Sequence, residues 1–237
     1  MLEIKNLSKT YSGGKLAVDD ITLSIGDGEI FAFIGHNGAG KTTTLKCVVG
    51  ILDFEKGDIF LNGKSIKKQP IACKQEIAYI PDNPDLYEQL TAIQYLNFIC
   101  DIYRISSEDR NDKISKFAEM FEIKKNLGDL ISSYSHGMKQ KLALISALVR
   151  KPKLLVLDEP FVGLDPKAAF QVKELMKELC AEGSSVFFST HVLEVAEKLC
   201  HRVAIIQKGK IVAYGTMDEV KGNKSLEDVF LELVNHA

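Results

Sequence analysis

The chain has 237 residues, 46% of them hydrophobic, with 30 Lys and Arg against 32 Asp and Glu for a formal charge of −2. That balance supplies no bulk attraction to nucleic acid or anionic lipid, and the length allows one domain with a sizeable core and a subdomain. Five cysteines (Cys47, Cys73, Cys100, Cys180 and Cys200) lie far apart with no C-x-x-C pair, and no apolar h-region or uninterrupted run near 18 residues occurs, so reduced thiols in a soluble chain are expected.

In chain order, the first 35 residues read as strands, "LEIKNL", "AVDDITLSI" and "EIFAFIG", parted by turns at Ser12-Gly13-Gly14 and Gly26-Asp27-Gly28. After "KTTTLKCVVG" come two more strand-like pieces, "GDIFLNG" and "EIAYIP". From Ala92 to about Ile131 the apolar spacing turns helical through Ile93, Leu96, Ile99 and Ile102, then Ile114, Phe117, Met120 and Phe121, which marks a subdomain. From Met138 helix and strand alternate: a helix to Arg150, "LLVLD", a helix from Pro166, "SVFFST", a helix from His191, and "RVAII". After Tyr214 the tail holds about two helices, "MDEVKG" and "SLEDVFLELV". Such alternation implies a parallel sheet with ligands at the carboxyl ends of its strands.

Three stretches carry chemistry. At the end of "EIFAFI" stand Gly35, His36, Asn37, Gly38, Ala39, Gly40, Lys41 and Thr42, which match G-x-x-x-x-G-K-[ST] between a strand and a helix, with Thr43 next in line. The glycines let backbone N–H groups wrap a nucleotide's phosphates, Lys41 adds a point charge, and Thr42 offers a hydroxyl to Mg²⁺. The strand "LLVLD" ends in Asp158 and Glu159. Asp158 would hold Mg²⁺ through its shell, while Glu159, pointing the other way, could polarise an attacking water. The third stretch is "YSHGMKQ". Ser135 could cap the next helix or, with Gly137, meet a phosphate, and Lys139 and Lys141 would sit in a first turn whose dipole disfavours them unless an anion is near.

This order of motifs resembles the ATP-binding cassette (ABC) ATPase family over essentially the whole chain. The family's Leu-Ser-Gly-Gly-Gln signature falls on Tyr134, Ser135, His136, Gly137 and Met138, of which only Ser135 and Gly137 are kept. The altered places look like the ATPase subunits of drug, bacteriocin or peptide exporters. The resemblance implies an α/β fold: a P-loop NTPase core with a mostly parallel sheet, an N-terminal antiparallel β subdomain and an inserted α-helical subdomain. One domain would span 1–237, with a core at about 1–90 and 152–220, a helical subdomain at about 91–151, and a C-terminal helix at 221–237.

The resemblance also implies roles. Tyr11 matches the aromatic that stacks on adenine, although strand-end packing is the ordinary use of such a tyrosine. His191 matches the histidine that senses the terminal phosphate, with Ser189 or Thr190 as helix cap. Asp165 matches the aspartate that couples two sites across a dimer, and before Pro166 it is also a well-formed cap. Asp82 stands where the family has a glutamine that ligates Mg²⁺ and touches the membrane partner. The Ser135 helix of a second chain would close over the same ATP in a head-to-tail dimer, homomeric or heteromeric. The expected activity is ATP hydrolysis powering transport, in the export direction, through separate membrane-spanning subunits at the cytoplasmic face of the cell membrane. No nucleic acid is expected. Rival readings are a soluble family member acting on ribosomes or DNA, and an importer ATPase. The surface from Asp82 to Arg104, with Tyr87, Leu90 and Tyr95 as candidates, would carry the partner, although core packing is an equal reading for Tyr95, one step from Leu96 in the helical pattern.

Overall fold

The computed structural model describes residues 1–235 and contains two sheets. The first is antiparallel. Strands β1 (Leu2–Thr10) and β2 (Leu16–Ile25) pair with Leu2 opposite Ile25 and Ile4 opposite Leu23. Leu2, Ile4 and Leu7 point into the core, and the one-residue slip between Ile4 and Leu7 is taken up at Asn6, whose positive φ of 51° marks a bulge. β4 (Lys56–Leu61) pairs with the other side of β1 and turns through Asn62-Gly63, both at positive φ, into the short β5 (Lys64–Ser65).

The second sheet runs β10-β9-β3-β8-β7-β6. Strands β3 (Ile30–Ile34), β6 (Ile77–Ile80), β7 (Leu154–Asp158), β8 (Ser185–Thr190) and β9 (Arg202–Gln207) are parallel, and β10 (Lys210–Thr216) is an antiparallel edge. Every residue of β3, β7 and β8 is buried, because both faces are covered. Phe31 and Phe33 face the antiparallel sheet with Leu2, Leu45 and Val48, while Ile30, Ala32 and Ile34 face the helices. The register then fixes the site: Ile34 lies beside Thr190, and Asp158 beside Ser189. The segments leaving β3, β7 and β8 therefore emerge side by side at one edge.

The helices are α1 (Lys41–Val48), α2 (Pro70–Glu76), α3 (Ala92–Ile102), α4 (Ser107–Met120), α5 (His136–Leu148), α6 (Pro166–Ala181), α7 (Leu193–Leu199), α8 (Met217–Lys221) and α9 (Leu226–Asn235). The helical signal from 92 to 131 is two helices, parted where Arg104 takes φ 55° and Ser106 caps α4, followed by short 3-10 turns. α2 escapes the periodicity argument because Cys73 alone of its residues is buried. α7 begins at Leu193 rather than His191, and neither Ser189 nor Thr190 is its cap: Ser189 is spent on β8, and Thr190 Oγ1 accepts from Val192 N–H in a local turn. The C-terminal helix begins at 226, since α8 stops at Gly222 with φ 56°, and residues 236–237 of the expected helix lie outside the described residues. All five cysteines are separate buried thiols. Among the described residues no helix is long and apolar enough to cross a membrane.

Candidate active site

The loop from Gly35 to Thr42 leaves β3 and winds into α1. Two of its glycines are required by close approach. A Cβ on Gly35 would meet Ile206 O at 2.5 Å, and one on Gly40, at φ 112°, would meet Ala17 O at 2.4 Å. The N-terminus of α1 has no side-chain cap and no acidic residue in its first turn. Its free N–H groups and positive dipole end thus form an anion site that no side chain of the helix occupies. Lys41 is 6% exposed, and its Nζ donates to Gly35 O at 2.6 Å. Thr42 is exposed beside it, whereas Thr43 and Thr44 turn inward.

At the tip of β7, Asp158 is 3% exposed and accepts a 2.5 Å hydrogen bond from Ser189 Oγ. Strand alternation would send Glu159 away from Asp158, as the sequence suggests. The backbone of Glu159 instead adopts φ 49°, and its N–H donates to Ser189 O at 3.2 Å and Ser189 Oγ at 3.1 Å. A non-glycine residue in this region costs roughly 1–3 kcal/mol, held here by the surrounding bonds. The result is that Glu159 turns back over the same cleft. Its Oε2 lies 2.9 Å from His191 Nδ1, and its Oε1 makes a 3.3 Å ion pair with Lys41 Nζ. One carboxylate is thus held between Lys41, at the start of α1, and His191, just past β8.

The cleft, about 220 Å³, gathers Tyr11, Asp82, Asp158 and Glu159 with His36 to Gly38 and Lys41 to Thr43. Tyr11 is half-exposed, with its hydroxyl 3.1 Å from Thr43 Oγ1. Asp82, also lining the cleft, is exposed. Sequence reasoning missed Lys15, which lines the cleft from the turn before β2, and Tyr79 on β6. The Tyr79 hydroxyl is buried with no hydrogen-bond partner among the described residues. Burial, then the Asp158 and Asp82 charges, push its pKa up. No three His, Cys, Asp or Glu side chains form a metal cage among the described residues. One buried carboxylate with an exposed hydroxyl nearby is a donor set that fits Mg²⁺, which keeps waters and takes substrate phosphates as its remaining ligands.

Ser135, His136 and Gly137 are not among the residues lining this cleft. Ser135 is exposed and caps α5, accepting from Met138 N–H at 3.3 Å. Lys139 and Lys141 find their anions within the chain, Lys139 pairing with Glu88 and Lys141 with Asp165 Oδ2 at 3.0 Å. Asp165 also caps α6, accepting from Ala168 N–H at 2.8 Å; that bond and then Lys141 hold its carboxyl below the usual range. Gln140, 1% exposed and unremarked in the sequence, donates from Nε2 to Pro160 O at 3.3 Å and so ties α5 to the turn after Glu159.

His136 turns its ring onto that turn: a Cβ on Gly163, at φ 78°, would meet His136 Cδ2 at 2.6 Å. Gly163→Ala is therefore expected to cost about 1–2 kcal/mol, a fall of several degrees in Tm, and adding His136→Gly should recover part of it. Thermal melting of the single and double variants checks this.

On the helical side, Tyr87 is exposed and stacks edge to face on half-exposed Phe98, with centroids 5.7 Å apart. Leu90 is half-buried against the core. Tyr95, for which the sequence leaves docking and core packing both open, is 8% exposed and packs in the core on the face of α3 that also buries Ala92, Leu96 and Cys100.

A family profile described as ABC transporter matches residues 18–162. The chain belongs to the ABC transporter family. The ABC-type transporter ATP-binding protein EcsA of Bacillus subtilis (strain 168) is 35% identical over 238 residues, 98% of this chain and 96% of EcsA. The linearmycin resistance ATP-binding protein LnrL of the same organism is 34% identical over 220 residues, 93% of this chain and 70% of LnrL. A solved ATP-binding subunit of an ABC transporter superimposes with a TM-score of 0.94, at 34% identity and 99% coverage of both chains. This ABC chain is accordingly an ATP-binding subunit with the ABC ATPase fold, a P-loop ATPase coupled to transport.

Proposed function

We propose that the chain hydrolyses ATP to power export through a separate membrane-spanning subunit, bound at the cytoplasmic face of the cell membrane. The observation that carries the reading is the convergence of Lys41, at the start of α1, with Glu159 and His191, just past the ends of β7 and β8, Glu159 lying within 3.3 Å of one and 2.9 Å of the other. The loop N–H groups and Lys41 bind the phosphates, and Tyr11 stacks on the base. Mg²⁺ would be held by Thr42 and, through its shell, by Asp158, with Asp82 as a further ligand; when bound it neutralises charge on the phosphates. Glu159 takes the proton of the attacking water, and His191, with a hydrogen on Nδ1, holds that carboxylate in place. Ser135 and Gly137 lie away from this cleft, which supports their serving a second copy's nucleotide in a head-to-tail dimer. Asp165, tying α5 to α6, would couple the two sites. The domain division is the one the motifs suggest, a core at about 1–90 and 152–220 with the helical part between.

Export is favoured by the altered signature at Tyr134, His136 and Met138 and by a relative named for linearmycin resistance, since efflux is one way to resist a toxic compound. The exposed Tyr87 and Phe98 pair offers the membrane partner an aromatic contact. Purified from detergent-solubilised membranes, the chain should bring with it a protein of about six apolar 20-residue spans. Recovery with ribosomes or DNA and no multi-span protein would overturn the transport assignment.

A further inference from the structure

The C-terminal helix α9 reaches the phosphate loop. Phe230 on α9 is 7% exposed, and its ring meets the imidazole of His36 edge to face, with centroids 4.9 Å apart and planes at 61°. His36 is the first loop residue after Gly35. Its carbonyl accepts from Ala39 N–H at 3.1 Å, closing the turn, and lies 3.4 Å from Lys41 Nζ. The imidazole is otherwise on an exposed residue, so Phe230 gives the loop a fixed neighbour from outside its own strand and helix.

The other end of α9 is anchored as firmly. Leu226 is fully buried, and its N–H donates to Glu197 Oε2 at 3.1 Å, while Lys221 Nζ pairs with Glu197 Oε1 at 2.6 Å. Glu197 belongs to α7, which begins two residues after His191. Phe230 and Leu226 share one apolar cluster with Ala196, Leu199 and Met217. The helix therefore spans from the segment that follows His191 back to the loop that carries Lys41.

We propose that α9 is a clamp on the phosphate loop, with Phe230 a positioning residue that acts through His36 on nucleotide affinity. The inference rests on the reading of Gly35–Thr42 as the phosphate cradle. Holding the turn in its binding geometry removes ordering cost from the binding step and leaves the groups that act on water untouched. By linkage, a bound nucleotide must stabilise α9 to the same degree that α9 favours the nucleotide.

A fluorescent ATP analogue titrated into the full chain, with Lys41→Ala as reference, tests this. Phe230→Ala should raise Kd about three- to tenfold, the factor an aromatic pair supports, with kcat at saturating ATP within about twofold of native. Phe230→Leu, which keeps the apolar volume and should melt near the native temperature, should raise Kd in the same direction. In a His36→Ala background the Phe230 substitution should leave Kd nearly unchanged. Amide exchange in residues 226–235 should slow when the analogue is added to the native chain. An unchanged Kd in both Phe230 variants, or an equal rise with and without His36, would overturn the clamp, provided Lys41→Ala loses binding. Native-like binding by Lys41→Ala would instead overturn the cradle reading on which it depends.

Discussion

Glu159→Gln should bind ATP about as well as the native chain, lose hydrolysis by at least about a hundredfold, and accumulate as an ATP-bound dimer. The carboxylate is placed to receive a proton, with Oε2 beside His191 and Oε1 beside Lys41 on a backbone turned back at φ 49°. Glutamine keeps the length and planarity of the side chain but cannot accept a proton from water at neutral pH. It also removes the ion-pair partner of Lys41, which leaves that ammonium for the phosphates and explains why affinity should not fall. Steady-state phosphate release and size-exclusion chromatography with ATP read the two effects. Turnover within about tenfold of native would remove Glu159 from the proton-accepting role.

Lys41→Ala should act on the opposite quantity. Its Nζ is nearly buried and bound to Gly35 O at 2.6 Å, poised at the free N-terminus of α1. Loss of charge-assisted bonds to phosphate costs about 1.5–3 kcal/mol, so Kd for ATP should rise roughly ten- to a hundredfold. The fold should persist, because beyond its bonds to the loop itself the side chain pairs only with Glu159, at a cleft-lining position outside the main core. Direct calorimetric titration checks the prediction, and an unchanged Kd would sink the phosphate role of Lys41.

The phosphate loop and the acidic strand end were legible because their motif spacing coincides with a local rule: buried apolar strands followed by glycines or acids. What the residues alone could not convey was how distant strand ends meet. That Glu159 reaches both Lys41 and His191 depends on the order β3-β8-β7 and on one left-handed residue that overrides strand alternation. Ser189 looked like a helix cap because it precedes a helix, yet its position in β8 beside Asp158 commits its hydroxyl to that carboxylate. Lys139 and Lys141 suggested an anion and have one, but it is Glu88 for the first and Asp165 for the second, contacts set by tertiary packing. The edge strand β10 and helix α2 gave little apolar periodicity, since few of their residues are buried. Phe230 carried no signal beyond an ordinary amphipathic helix.

The five buried thiols have a practical side. Burial pushes Cys47 up to about 12 and Cys180 up to about 11, and raises Cys73, Cys100 and Cys200 as well. Thiolate is the reactive form and all five thiols are buried, so near pH 7 the native chain is expected to take up alkylating labels slowly. A single cysteine introduced at an exposed site would be the preferred attachment point for a spectroscopic probe, with no native thiol to delete first. Conversely, rapid uptake of such a label by the unaltered chain would report its unfolding.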